Sequence, residues 1–181
     1  MIYNSMADIC AANEDVRRRI VEHVASLNEA QQGFRPTESA WSVADIVEHL
    51  AIIEGNMVRL VSKLLGKVES EAGAPSTAPR PMPLFSLDDY EAQIREQKLV
   101  APEAIQPRGA PLNESLARLN ESRAALNALR PRIELADGTR AHYPHPFFGP
   151  LNLYQWLAFI GMHEARHLGQ IEGLVEMMNA E

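Results

Sequence analysis

The sequence predicts an all-α protein, a four-helix bundle with a long Pro-rich crossover between the second and third bundle helices. Three observations carry this. Apolar residues recur at three- and four-residue intervals through most of the chain, no stretch longer than a few residues alternates as a strand does, and prolines gather between residues 67 and 111. The 181 residues are expected to form a single domain, 1–181, with no internal repeat. A content of 46% hydrophobic and 23% charged residues is ordinary for a globular protein.

The first helix is expected from Ser5 to Ala30, where Ile9, Val16, Ile20, Val24 and Leu27 make one stripe before Gly33 ends it. Within it, Arg17, Arg18 and Arg19 read as a solvated turn and Cys10 as a small core residue. The second helix opens at Ser42, whose hydroxyl can accept the Asp45 amide proton in a capping box. Ile46, Val47, Leu50, Ile53, Met57, Leu60 and Leu64 carry it to about Leu65. Seven prolines between Pro75 and Pro111 then forbid one continuous helix, leaving a surface-lying crossover with one short helix over 87–99. The third bundle helix fits Asn113 to Leu129, with Pro131 as its stop. Asp137-Gly138 is a turn signal that can close a small hairpin. The last helix runs from Asn152, its cap, to Asn179, with Gln155 reaching back from the first turn.

Composition narrows the function classes. A net charge of −7 argues against a nucleic-acid partner, whose phosphates need a concentrated basic surface. No apolar run approaches the roughly 20 residues that cross a bilayer, and the start of the chain has no basic segment followed by an apolar one. No membrane partner and a cytoplasmic location are the expectations. Cys10 is the only cysteine, so no internal disulfide forms.

Among the six histidines, His163 and His167 lie in HEARH, which satisfies the H-E-x-x-H pattern of zinc peptidases. On a helix, positions i and i+4 share one face, so the two rings can share a metal. A catalytic zinc usually takes three protein ligands, and bundles build such sites from inward side chains of facing helices. His49, beside the apolar stripe of the second helix, is the candidate third donor. Taken singly, each ring reads better as a partly buried histidine hydrogen-bonded to a neighbour, and it is the three together that point to a metal.

The peptidase reading is the weakest. The longer H-E-x-x-H-x-x-G-x-x-H form needs glycine at 170 and histidine at 173, where Gln170 and Gly173 stand. No sheet edge is expected that could bind an extended peptide. Glu164 has two readings, a general base within reach of a metal-activated water, or a solvated glutamate near Arg166. Asp45 and Gln170, one turn from His49 and His167, can each orient a ring or serve capping and bundle hydrogen bonds instead. His142 and His145 either shape the mouth of a pocket or are solvated loop residues.

The segments HPFFGPLNLYQWLAFIGMHEARHLGQIEGL and WSVADIVEHL resemble the DinB-like, or DinB/YfiT-like, metalloenzyme family over nearly the whole chain. The resemblance implies a four-helix bundle holding one divalent metal on His49, His163 and His167. Imidazole donors suit zinc, nickel, iron and copper, with zinc or nickel the expected ion. It also implies a small-molecule substrate and, as co-substrate, a low-molecular-weight thiol such as bacillithiol, mycothiol or glutathione. The residues alone equally permit hydrolysis. The alternative class is a non-catalytic homodimeric bundle whose metal is incidental or absent.

Overall fold

The computed structural model describes residues 1–72, 76–90, 92 and 100–180. The chain is mostly helical. Four long helices, α1 (Met6–Ala25), α3 (Val43–Glu71), α4 (Leu112–Leu135) and α5 (Leu153–Ala180), form the bundle, and a short α2 (Glu29–Gly33) follows α1. Helix α1 packs along α5, α5 along α3, and α3 along α4. Two small antiparallel ribbons complete the described residues. One pairs β1 (Ile2–Tyr3) with β2 (Phe85–Ser86), the other β3 (His142–His145) with β4 (Gly149–Asn152).

Local chemistry accounts for the helix bounds, including those that differ from expectation. Ser42 and Asp45 form the anticipated capping box on α3, and Asn152 with Gln155 form its counterpart on α5. The first helix stops at Ala25 rather than Ala30, because Asn28 and Gln31 make a capping box of their own and start α2. Helix α3 runs beyond Leu65 to Glu71, since Val68 continues the buried stripe. Pro131 lies inside α4 and does not end it. The carbonyl that loses its partner there belongs to Asn127 on an exposed turn, while Ile133 beyond the proline is fully buried. The expected short helix over 87–99 lies largely outside the described residues; residues 88–90 are helical.

The hairpin falls downstream of its expected turn. Asp137 instead accepts from the Thr139 amide and hydroxyl in a tight turn, and Gly138 lies flat against the Tyr154 ring. A Cβ at 138 would stand 2.7 Å from that ring. The strands pair His142 with Asn152 and His145 with Gly149, whose φ of 71° only glycine adopts freely.

The apolar interior consists of two clusters divided by a charged layer. One gathers Ile9, Met57, Val61, Leu126, Ile133 and Ile160, the other Ile20, Val47, Leu50, Leu119, Leu168 and Ile171. Between them, each bundle helix contributes one charged residue: Arg17 from α1, Glu54 from α3, Arg123 from α4 and Glu164 from α5. Arg17 Nε donates to Glu164 Oε1 at 2.8 Å and its Nη1 to the Leu119 carbonyl at 3.0 Å, while Nη2 reaches Glu54 and Glu164. Arg123 Nη2 donates to Glu164 Oε2 at 3.0 Å, and its Nε lies 3.5 Å from Glu54 Oε1.

These four side chains correct two expectations. Arg17 is not part of a solvated turn, being 5% exposed, and Glu164 is not a solvated glutamate, being 2% exposed. Burial alone pulls the Arg17 guanidinium down, but Glu164 and Glu54 outweigh it and hold it above its ordinary value. Burial pushes the Glu54 carboxyl up, against the pull of the two guanidiniums. Two positive and two negative charges leave the layer neutral, the condition under which buried charge is tolerated.

Candidate metal centre

Helices α3 and α5 bring His49, His163 and His167 together, as helical phase suggests they can. Their ligand-type nitrogens all lie within 4.8 Å of one another, and the ring centroids are 4.6 to 5.4 Å apart. Trp41 flanks them, 4.9 Å from the His49 ring and stacked at 6.4 Å on His167.

Two of the rings are held by their Nδ1. His49 Nδ1 is 2.7 Å from the Ile105 carbonyl, and His167 Nδ1 is 2.7 Å from Gln170 Oε1. A carbonyl oxygen only accepts, so each Nδ1 carries the proton and each Nε2 keeps its lone pair. Gln170 therefore orients His167, one of the two readings open for it. Asp45 does not orient His49: its carboxylate is spent on Ser42 and on Arg35, 2.6 Å away.

Ile105 is itself positioned by the residue beside His49. Glu48, 3% exposed, accepts the amide protons of Arg108, Gly109 and Ala110 at 2.8 to 2.9 Å on a single oxygen. Gly109, at φ 85°, supplies the left-handed residue that lets three successive amides converge. Neighbouring side chains of α3 thus dock the segment carrying the 3-10 turn Glu103–Ile105. Glu48 escaped the sequence reading, because nothing in sequence ties a helix glutamate to amides 60 residues away.

Burial sets the charge state of the cluster. It lowers the His49 imidazole, with the Ile105 bond opposing, and takes His167 down to about 3, with His49 adding to the shift. Burial drives His163 well below the free value, helped by His167 and His49. All three are neutral near pH 7. Three neutral imidazoles with no carboxylate among them form a donor set suited to a borderline divalent ion, and at least two present a free lone pair. Among the described residues, this is the group of histidine, cysteine and acidic side chains gathered closely enough to hold a metal.

The centre opens on a cavity of about 950 Å³ lined mainly by apolar and aromatic residues, including Met57, Leu60, Phe148, Trp156 and Phe159. His145 lines it as well, stacked on Phe148 with ring centroids 4.4 Å apart, and so belongs to the pocket. His142, exposed on β3, does not line it. Glu164 turns away. Its oxygens meet Arg17 and Arg123, and it is absent from the cavity wall.

A helical bundle with three inward histidines on facing helices over an apolar cavity defines a class of candidate metal-binding bundles. Comparison with known proteins gives the family: residues 12–171 match the DinB superfamily, and the chain belongs to it. It is 26% identical over 164 residues to the uncharacterized protein YuaE of Bacillus subtilis (strain 168), covering 90% of this chain and 94% of that one. Its fold is similar to that of TT2238, a four-helix bundle protein, with a TM-score of 0.61 at 23% identity over 93% of this chain and 99% of the other. It is also similar to YfiT from Bacillus subtilis, reported as a probable metal-dependent hydrolase with an unusual four-helix bundle topology. There the TM-score is 0.62 at 20% identity, over 96% and 87% of the two chains. No helix among the described residues is long and apolar enough to cross a membrane.

Proposed function

We propose that the protein is a metal-dependent enzyme acting on small molecules, hydrolysis being the reaction its site supports best. His49, His163 and His167 hold one divalent ion, zinc or nickel. The observation that carries this reading is the converging set of neutral imidazoles, two with Nδ1 tied back, on the wall of a single apolar cavity. The description of YfiT as a probable metal-dependent hydrolase supports it. When bound, a divalent cation supplies Lewis acidity, lowering the pKa of a water or thiol toward neutrality.

The chain's own residues do the rest. Ile105 and Gln170 fix the rings of His49 and His167, and the apolar wall keeps bulk water from the reacting group. Glu164 enters as a structural group, since both its oxygens face guanidinium groups. Thiol transfer is the second reading, favoured by a cavity with room for a thiol beside an electrophile. The cytoplasm as location and a second copy of this chain as partner belong to the same proposal, and the mass in solution reads the latter.

The test compares metal-loaded, chelated and His163→Ala protein on a panel of p-nitrophenyl esters, and on glutathione or bacillithiol with a chloro-nitroaromatic. Metal-dependent ester hydrolysis is expected. Metal-dependent thiol conjugation alone would select the second reading, and equal rates with and without metal would return the chain to the non-catalytic class.

A further inference from the structure

His145 carries chemistry that the three-histidine centre does not use. It sits at the end of β3, half-buried, in an aromatic group formed with Phe147, Phe148, Trp156 and Phe159. Its ring is nearly parallel to that of Phe148, at 13°, so it forms part of a flat wall. The Phe147 amide donates to His145 Nδ1 at 3.2 Å. An amide N–H can only donate, so Nδ1 is the bare nitrogen and the proton resides on Nε2. This tautomer is the reverse of that in His49 and His167, whose Nδ1 atoms face oxygens.

Nε2–H has no protein partner among the described residues, yet it is not a sealed-off buried polar atom. His145 therefore offers one accessible donor beside the aromatic carbon of Phe148, Trp156 and Phe159, with which it lines the cavity. Burial pushes its imidazole down to about 4, so the ring stays a neutral donor near neutral pH. A neutral donor set among aromatic rings selects for shape and a single acceptor, and brings no charge of its own to an ionic group.

We propose that His145, with Phe148, Trp156 and Phe159, forms a substrate-positioning subsite for a planar, uncharged aryl group bearing one hydrogen-bond acceptor, which His145 Nε2–H engages. This deepens the proposed function, since the subsite shares its cavity with the three histidines. It makes His145 a positioning residue, holding the acceptor group while the reactive bond lies toward His163.

The experiment uses metal-free protein, so its outcome is independent of whether the histidines bind metal. Acetophenone and α-methylstyrene are near-isosteres that differ in a C=O against a C=CH₂. Each is titrated into ¹⁵N-labelled protein, and the ratio of their dissociation constants is compared between wild type and His145→Phe, which keeps the ring and removes the donor. One neutral hydrogen bond predicts that the ratio moves about fivefold toward α-methylstyrene in the variant. An unchanged ratio, or no saturable binding of acetophenone to wild type, overturns the subsite. A second reading needs no variant: ¹⁵N shifts of the wild-type imidazoles should show His145 protonated on Nε2 and bare on Nδ1 from pH 8 to pH 5. The opposite tautomer, or a protonated ring at neutral pH, overturns it equally.

Discussion

Helix α5 carries two polar clusters whose members are adjacent in sequence, and they are built on opposite principles. Glu164 belongs to the layer with Arg17, Glu54 and Arg123, where each charge meets its opposite and the sum is zero. His163 belongs to the centre with His49 and His167, where like groups converge, all neutral, and the nearby Arg166 guanidinium only lowers His163 and His167 further. The charged layer balances its charge internally, although Glu54 Oε1 and Arg123 Nε, 3.5 Å apart, lack a hydrogen-bond partner among the described residues. The histidine centre presents lone pairs toward a common point and so leaves room for a cation from outside. Burial alone does not distinguish structure from function; whether a buried polar cluster meets its own charges with opposite ones does.

The largest effect expected from this contrast is on folding. Arg17→Met strands Glu54 and Glu164 against Arg123 alone, and removing one partner of a buried pair costs about 3–5 kcal/mol. Urea denaturation of metal-free protein should show that loss. His163→Ala should cost no more than about 1 kcal/mol in the same assay. If the two variants lose equal stability, the distinction between the clusters fails.

The next effect is on metal linkage. A ligand that binds only the folded state at a hundredfold excess over its Kd adds about 2.7 kcal/mol of stability. Zinc or nickel should deliver such a gain to wild type and to Glu164→Gln, and none to His163→Ala. Glu164→Gln that keeps its metal but loses all turnover would instead make Glu164 a general base.

A smaller effect is on pH. His49, His163 and His167 have folded pKa values below the ordinary 6.5, so the unfolded chain binds more protons once the pH drops under that value. Stability is therefore fully present above about pH 6.5 and declines as pH falls toward about 3, where His167 titrates. Each of the buried rings His49 and His167 contributes at most about 1.4 kcal/mol per pH unit within its window. Metal affinity of the folded protein should then begin to fall only at a pH below the 6.5 of a free histidine. A midpoint of binding at 6.5 would show the rings to be solvated.

Much of this was legible in the sequence, because helical phase and capping residues are local. The caps at Ser42 and Asn152, the four long helices and the shared face of His163 and His167 follow from spacing, whereas His49 as their partner needed its place beside the apolar stripe and the family resemblance as well. The charged layer was legible in principle. Arg17, Glu54, Arg123 and Glu164 each interrupt an apolar stripe, Glu54 between Leu50 and Met57, and Arg123 between Leu119 and Leu126. Two of each sign in stripe phase signal an internal ion layer, whereas Arg17 read within its run of three arginines looks solvated. The docking of Ile105 through Glu48 and the reversed tautomer of His145 were not legible, since both depend on backbone amides brought from distant or irregular segments.

The most direct test of the central claim is a calorimetric titration of untagged, metal-free protein with zinc or nickel. The account predicts saturable binding of one ion per chain in wild type and its loss in folded His163→Ala. Absence of saturable binding in wild type, or undiminished binding in the variant, would contradict it.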